Sequence, residues 1–125
     1  MKSLFFTLII TLFSFNISAQ DVKTKAQEAI KNGNSKALSA YFASNIDLSV
    51  NDEDDVFSKA QAEQILKKFF TSNKPSDFKV VHQGESKVGT KYVIGELTTS
   101  GGKYRVTFNM KDKAGKLVIH QLTIE

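Results

Sequence analysis

Three turn signals confine the stretch from Asp77 to Glu125 to one kind of structure, a four-strand antiparallel meander. Ser100-Gly101-Gly102-Lys103 lies between two alternating runs and supplies glycine where a two-residue hairpin loop needs positive φ. It places Thr99 opposite Tyr104, Leu97 opposite Val106, Gly95 opposite Phe108 and Val93 opposite Met110. Asp112-Lys113-Ala114-Gly115-Lys116 reads as a three-residue loop with Gly115 left-handed. That loop sets Asp112 against Lys116 as a cross-strand ion pair, with Phe108 facing His120, Val106 facing Leu122 and Tyr104 facing Ile124. A four-residue loop would bring Gln121 and Thr123 onto the apolar face and is rejected. Val88-Gly89 sets Val80 opposite Leu97, His82 opposite Gly95 and Gly84 opposite Val93.

These registers predict one row across the sheet, His82, Gly95, Phe108 and His120. A glycine inside a strand weakens it unless a neighbour covers it or something approaches closely. Phe108 folded over Gly95 satisfies the first condition and a pocket floored by Gly95 the second; both readings stand. The opposite face is polar, with Arg105, Thr107, Asn109 and Lys111 beside Thr98 and Glu96, and Glu96 lies within reach of Arg105 for a weak surface ion pair.

The chain opens with the features of an export signal. Lys2 supplies the positive end, Leu4 to Phe15 the apolar run and Ile17-Ser18-Ala19 a small-residue cleavage site before Gln20. Residues 1–19 are read as a signal peptide and residues 20–125 as a single mature domain, exported to the periplasm or the exterior of a Gram-negative bacterium, with no membrane anchor in the mature chain. The sequence contains no cysteine, which excludes disulfides and a lipid-modified cysteine. Loss of Lys2 lowers the formal charge from +4 to +3, and the lysines are dispersed, so the basic footprint of a nucleic-acid binder is missing.

Val22, Ala26, Ala29 and Ile30 follow helical spacing after a cap at Asp21 and stop at Asn32-Gly33-Asn34. A second short helix is read with Ala37, Leu38, Tyr41 and Phe42 on its buried side. Ile46, Leu48 and Val50 alternate with polar residues as a short strand. Ser58-Lys59-Ala60-Gln61 has the form of a capping box, and behind it Ala62, Ile65, Leu66, Phe69 and Phe70 make a broad apolar stripe ended by Asn73 and Pro75. Such a helix needs an apolar partner, which the inner face of the meander provides.

This order of elements resembles the nuclear transport factor 2-like (cystatin-like) fold, an α+β architecture in which N-terminal helices pack on a curved antiparallel sheet to form a cone. The mature chain is also similar to the short exported bacterial proteins of the domain of unknown function 4783 family. The resemblance rests on Gly33-Asn34, Tyr41-Phe42, Phe57-Ser58-Lys59-Ala60-Gln61-Ala62-Glu63, Leu66-Lys67-Lys68-Phe69-Phe70, His82-Gln83-Gly84, Tyr92-Val93-Ile94-Gly95 and Ile119-His120-Gln121-Leu122. It implies a fold and a cavity but no catalytic residue.

Asp52-Glu53-Asp54-Asp55 is the densest charge cluster. A calcium loop counted from Asp52 has Asp54 and Glu63 in place, but Val56 and Phe57 occupy the fifth and sixth positions, and Glu63 falls within a helix, so the cluster is read as a solvated turn. His82 and His120 are read three strands apart, about 14 Å, too far to share a metal ion. No nucleophile motif, phosphate loop or dinucleotide fingerprint is present.

The reading that results is an exported, non-catalytic binding or assembly domain without cofactor or metal. Its ligand-binding candidates are Tyr41, His82, Gly95, Tyr104 and Phe108, and its expected partners are a small apolar ligand, an envelope protein or a second copy in a homodimer. The alternative is an isomerase- or dehydratase-like enzyme using His82, with Tyr41 or Tyr104, as acid or base in the same cavity.

Overall fold

A computed structural model describes residues 19–125, with side chains from Asp21 onward. The signal-peptide reading of residues 1–19 therefore falls almost wholly outside the described residues. Among the described residues three helices, α1 (Ala19–Asn32), α2 (Ser35–Ser39) and α3 (Lys59–Ser72), accompany six strands: β1 (Phe42–Val50), β2 (Glu53–Ser58), β3 (Pro75–Glu85), β4 (Lys91–Thr99), β5 (Gly102–Lys113) and β6 (Lys116–Ile124). The strands form one curved sheet in the order β2-β1-β6-β5-β4-β3. Every neighbouring pair is antiparallel except β1 and β6, which run parallel, so the sheet is mixed.

Each helix is bounded by groups that satisfy its free backbone. In α1 the expected Val22, Ala26, Ala29 and Ile30 are buried, although the helix starts at Ala19, ahead of Asp21. Its end is a Schellman turn: Gly33, at φ 64°, donates to the Ile30 carbonyl and Asn34 to the Ala29 carbonyl. The Asn34 side chain then accepts from the Ala37 N–H and caps α2. That helix closes at Ser39, and Phe42 is buried as the first residue of β1 rather than on a helix. At α3 the capping box is formed as the sequence predicts, with the Gln61 N–H donating to Ser58 Oγ at 3.2 Å and the Ser58 N–H to Gln61 Oε1 at 3.0 Å.

The expected inner face holds on β4 and β5 but not throughout β3 and β6, and the registers differ. The β4–β5 loop is Ser100-Gly101, so Leu97 pairs with Tyr104, Gly95 with Val106 and Val93 with Phe108. This is a slip of two residues, which leaves every side chain on its predicted face. The β5–β6 loop is the two-residue Ala114-Gly115, at φ 55° and 79°. Asp112 accepts there from the Gly115 N–H instead of pairing with Lys116, and Glu96 bonds Lys103 at 3.3 Å rather than Arg105.

Two bulges restore the apolar pattern in β3 and β6, where the register moves by one residue. One lies between Val80 and His82, where His82 pairs with Ile94 while Val80 pairs with Gly95. The other lies at His120, between the pairs Met110 with Ile119 and Asn109 with Gln121, so that Leu122 and not His120 faces Phe108. The predicted row of His82, Gly95, Phe108 and His120 is therefore not formed. The helices cover the inner face, and the interior of the cone is filled: Ile30, Leu38, Ile46, Leu48, Leu66, Leu97, Phe108, Met110 and Leu122 have no exposure. Burying a side chain of this size contributes about 1.5–3 kcal/mol.

Candidate functional site

The five residues singled out from the sequence do not share a cavity. Phe108 is wholly buried in the core. Gly95 faces inward, but the residue over it is Phe78 from β3, not Phe108: a Cβ on Gly95 would overlap the Phe78 ring and lie 2.9 Å from the Lys79 carbonyl oxygen. His82 is exposed on the outer face because the Val81 bulge turns it away from the inner one. Tyr41 borders a hollow of about 170 Å³ beside α1 and α2. Gly95 and Tyr104 do meet, at the edge of an outer-face hollow of about 350 Å³ whose other walls are Val81, Glu96, Lys103 and Arg105.

His82 instead forms a surface pair that the registers did not foresee. The Tyr92 hydroxyl lies 2.7 Å from His82 Nε2, with ring centroids 5.4 Å apart. Gly84 makes the room, since a Cβ there would stand 2.8 Å from that hydroxyl. This links His82-Gln83-Gly84 to Tyr92 through geometry that alternation could not reveal. His120 is half-buried, and its Nε2 is buried without a partner. Desolvation lowers its pKa, Lys111 adds to the effect and Asp47 opposes it. Among the described residues no group of three His, Cys, Asp or Glu side chains is placed to hold a metal, and no helix is long and apolar enough to cross a membrane.

The sequence reading missed the cleft that combines an apolar floor with a polar rim. It opens between the C-terminal half of α3 and the β1–β2 hairpin, measures about 260 Å³, and has Val50, Ile65 and Phe69 as its apolar surfaces. Lys68, Ser72 and Asn73 border it from the helix, and Asn51, Asp52 and Glu53 from the hairpin. Helical spacing explains the first set: Ile65, Lys68, Phe69 and Ser72 recur at three- and four-residue intervals, one face of α3. The second set depends on Asn51 adopting φ 54°, which allows the tight loop from Val50 to Glu53.

The wall of this cleft is held by side-chain bonds. Asn73 caps the end of α3, its Nδ2 donating to the Phe69 carbonyl at 3.2 Å, while its Oδ1 accepts from the Tyr104 hydroxyl at 3.1 Å. Phe69 meets Tyr104 edge to face at 5.1 Å between centroids. The β4–β5 turn locks on from outside, with the Lys74 N–H donating to Ser100 Oγ and the Ser100 N–H to the Lys74 carbonyl, both at 3.0 Å. Tyr104 thus supports the cleft through Asn73. An amphiphile with an apolar body and a charged or hydrogen-bonding head matches such a lining.

No functionally curated protein matches the sequence. Solved structures do: a protein from Bacteroides uniformis is 33% identical with a TM-score of 0.76, over 82% of this chain and 94% of its own. One from Bacteroides ovatus is 34% identical with a TM-score of 0.75, over 80% of this chain and 90% of its own. Both are described as DUF4783 family proteins. An NTF2-like protein of unknown function from Cytophaga hutchinsonii, 14% identical, shares the fold at a TM-score of 0.61 over 90% of this chain and 92% of its own. The family model for DUF4783, a domain of unknown function, matches residues 23–125, and the chain belongs to that family.

Proposed function

We propose that this protein is an exported, non-catalytic binding domain that holds a small amphipathic molecule in the cleft between α3 and the β1–β2 hairpin. The observation that carries the reading is the contrast between a filled interior and the cleft at the α3–hairpin edge, which joins an apolar floor to a charged rim. The interior is packed with unexposed apolar side chains, while Val50, Ile65 and Phe69 border a cleft of about 260 Å³ rimmed by Lys68, Asp52 and Glu53. That volume lies just below the common range for small-molecule sites, about 300–1,000 Å³, and suits a compact metabolite. His82, the acid or base of the enzyme alternative, is exposed on the outer face and bonded to Tyr92, apart from both Tyr41 and Tyr104.

The test is a thermal-shift screen of small metabolites on wild type and on Ser72→Trp. Ser72 is exposed on the last turn of α3, so a tryptophan there fills the cleft without entering the core. A ligand at a hundred times its dissociation constant stabilises the wild type by about 2.7 kcal/mol. The variant is expected to melt like the unliganded wild type and to show no shift. A ligand that shifts both proteins equally binds elsewhere and refutes the cleft; turnover of a bound metabolite refutes the non-catalytic reading. Export is tested separately: mass analysis of the envelope fraction is expected to find a chain beginning at Gln20, and an uncleaved cytoplasmic chain would contradict it.

A further inference from the structure

We propose that β2 is a docking strand, which takes an extended segment of a partner protein carrying alternate basic residues. β2 ends the sheet, with β1 as its neighbour on one side. The opposite edge, β3, begins with a proline and is broken by two irregularities, devices that discourage pairing. β2 has neither: its six residues pair with β1 without a register break, from Val50 with Glu53 to Asn45 with Ser58.

The hairpin geometry fixes which main-chain groups are on offer. A two-residue loop makes Val50 and Glu53 a hydrogen-bonded pair, as are Leu48 with Asp55 and Ile46 with Phe57 by alternation. The main-chain groups of Asp54 and Val56 then point away from β1, as do those of Ser58, whose N–H is already taken by Gln61 Oε1 in the capping box. The Val56 N–H fits this placement, since its partner is the Asp55 carboxylate at 2.7 Å. The Val56 side chain is 61% exposed, and Glu53, Asp54 and Asp55 are exposed around it.

Charge decides the occupant. Four of the chain's 13 acidic residues are consecutive at 52–55, in a protein of formal charge +4. A second copy pairing through β2 would set carboxylates against carboxylates, which is destabilising. An incoming strand with lysine or arginine opposite Glu53 and Asp55 neutralises one side of β2, and β-branched residues between them meet Val56 on the other. Main-chain bonds would supply affinity and the alternate side chains specificity.

The probe is a short fluorescent peptide alternating lysine and valine, titrated by anisotropy against the purified protein at low salt. Two controls accompany it, a glutamate–valine peptide and the lysine–valine peptide N-methylated at alternate amides. Saturable binding of the first is expected, weakened about tenfold or more for either control. Val56→Pro removes the outward N–H that the peptide takes over from the Asp55 carboxylate, while sparing the ladder to β1, and is expected to weaken binding by a similar factor. No saturable binding of the lysine–valine peptide overturns the proposal. So does undiminished binding of the N-methylated peptide, which requires no variant to fold and would mean a charge contact alone. A dimer that Val56→Pro dissolves would assign the edge to a second copy and overturn it as well.

Discussion

Gly95→Ala separates a glycine kept for a ligand from a glycine kept for a neighbouring ring. Gly95 is buried and lacks the positive φ that would itself demand glycine, so the effect of a methyl group there is governed by contact. The new Cβ would overlap the end of the Phe78 ring and stand 2.9 Å from the Lys79 carbonyl oxygen. Phe78 is only half-buried and can swing partly outward; the Lys79 carbonyl belongs to the β3 backbone and cannot. Overpacking of this kind costs about 1–3 kcal/mol. Replacing a glycine also restricts the unfolded chain, which returns about 0.4–1 kcal/mol. The net expectation is a loss of about 1–2 kcal/mol, a fall in Tm of about 5–10 °C for a domain of this size.

The assay is urea denaturation of four proteins: wild type, Gly95→Ala, Phe78→Ala and the double variant. Phe78→Ala alone should cost about 1–2 kcal/mol for the lost half of a phenylalanine's burial. With the ring gone only the Lys79 carbonyl still opposes the alanine at position 95, so the second substitution should cost less than in wild type, a coupling of about 0.5–1 kcal/mol. A Gly95→Ala protein as stable as wild type refutes the close approach. An equal loss in the Phe78→Ala background shifts the cause to the Lys79 carbonyl and refutes the claim that the ring dictates the glycine.

Ser58→Ala removes the acceptor for the Gln61 N–H and should lower stability by about 1 kcal/mol in a chemical melt; an unchanged midpoint would show that the box is not formed in solution. Ala114→Gly relieves a left-handed alanine at φ 55° and should stabilise the β5–β6 turn by about 1 kcal/mol, read as a higher midpoint at unchanged m. His120 titrates below the ordinary histidine value in the folded protein, owing first to desolvation and then to Lys111, against the pull of Asp47. The unfolded chain therefore binds its proton at higher pH, so this contribution is complete above the ordinary histidine range and is lost as pH falls through it. His120→Gln should flatten the Tm profile between about pH 5 and pH 8, and a profile identical to wild type would contradict the burial of Nε2.

The helices were legible because their signals are local. Val22, Ala26, Ala29 and Ile30 mark a buried stripe by spacing alone, and the Ser58 to Gln61 box needs only its own four residues. The inner face of the meander was legible for a related reason: a slip of two residues at Ser100-Gly101 preserves alternation, so Val93, Leu97, Val106 and Phe108 stay inward whichever partner they meet. β2 was not legible. Glu53, Asp54 and Asp55 have low strand propensity and resemble a turn, and only the edge position, which leaves those side chains in water, allows them in a strand. The sign that could have exposed it is Asn51-Asp52, two turn residues between Val50 and the Val56-Phe57 pair. Missing β2 also hid the cleft, half of whose border is the β1–β2 hairpin.

The histidines failed for a different reason, and it bears on where function can be sought in this fold. The β3–β4 and β5–β6 registers each moved by one residue relative to the reading from alternation, and a one-residue change inverts every side chain beyond it. The sheet restores its apolar face by inserting one extra residue in β3 and one in β6, at or beside the two histidines. His82 is thereby carried outward to Tyr92, and His120 is left on a bulge with one nitrogen buried and unpaired. A bulge shifts the phase of alternation by one residue, so the residues on its far side are misplaced with it: the predicted pairing of Phe108 with His120 puts Ile119 on the outer face, whereas Ile119 is unexposed and paired with Met110. Periodicity therefore recovers the core of the unbroken strands β4 and β5, and it misplaces the residues at and beyond a bulge, the two histidines among them. The His82–Tyr92 pair and the buried His120 nitrogen both arise at such insertions, and turn-by-turn register counting could not have found either.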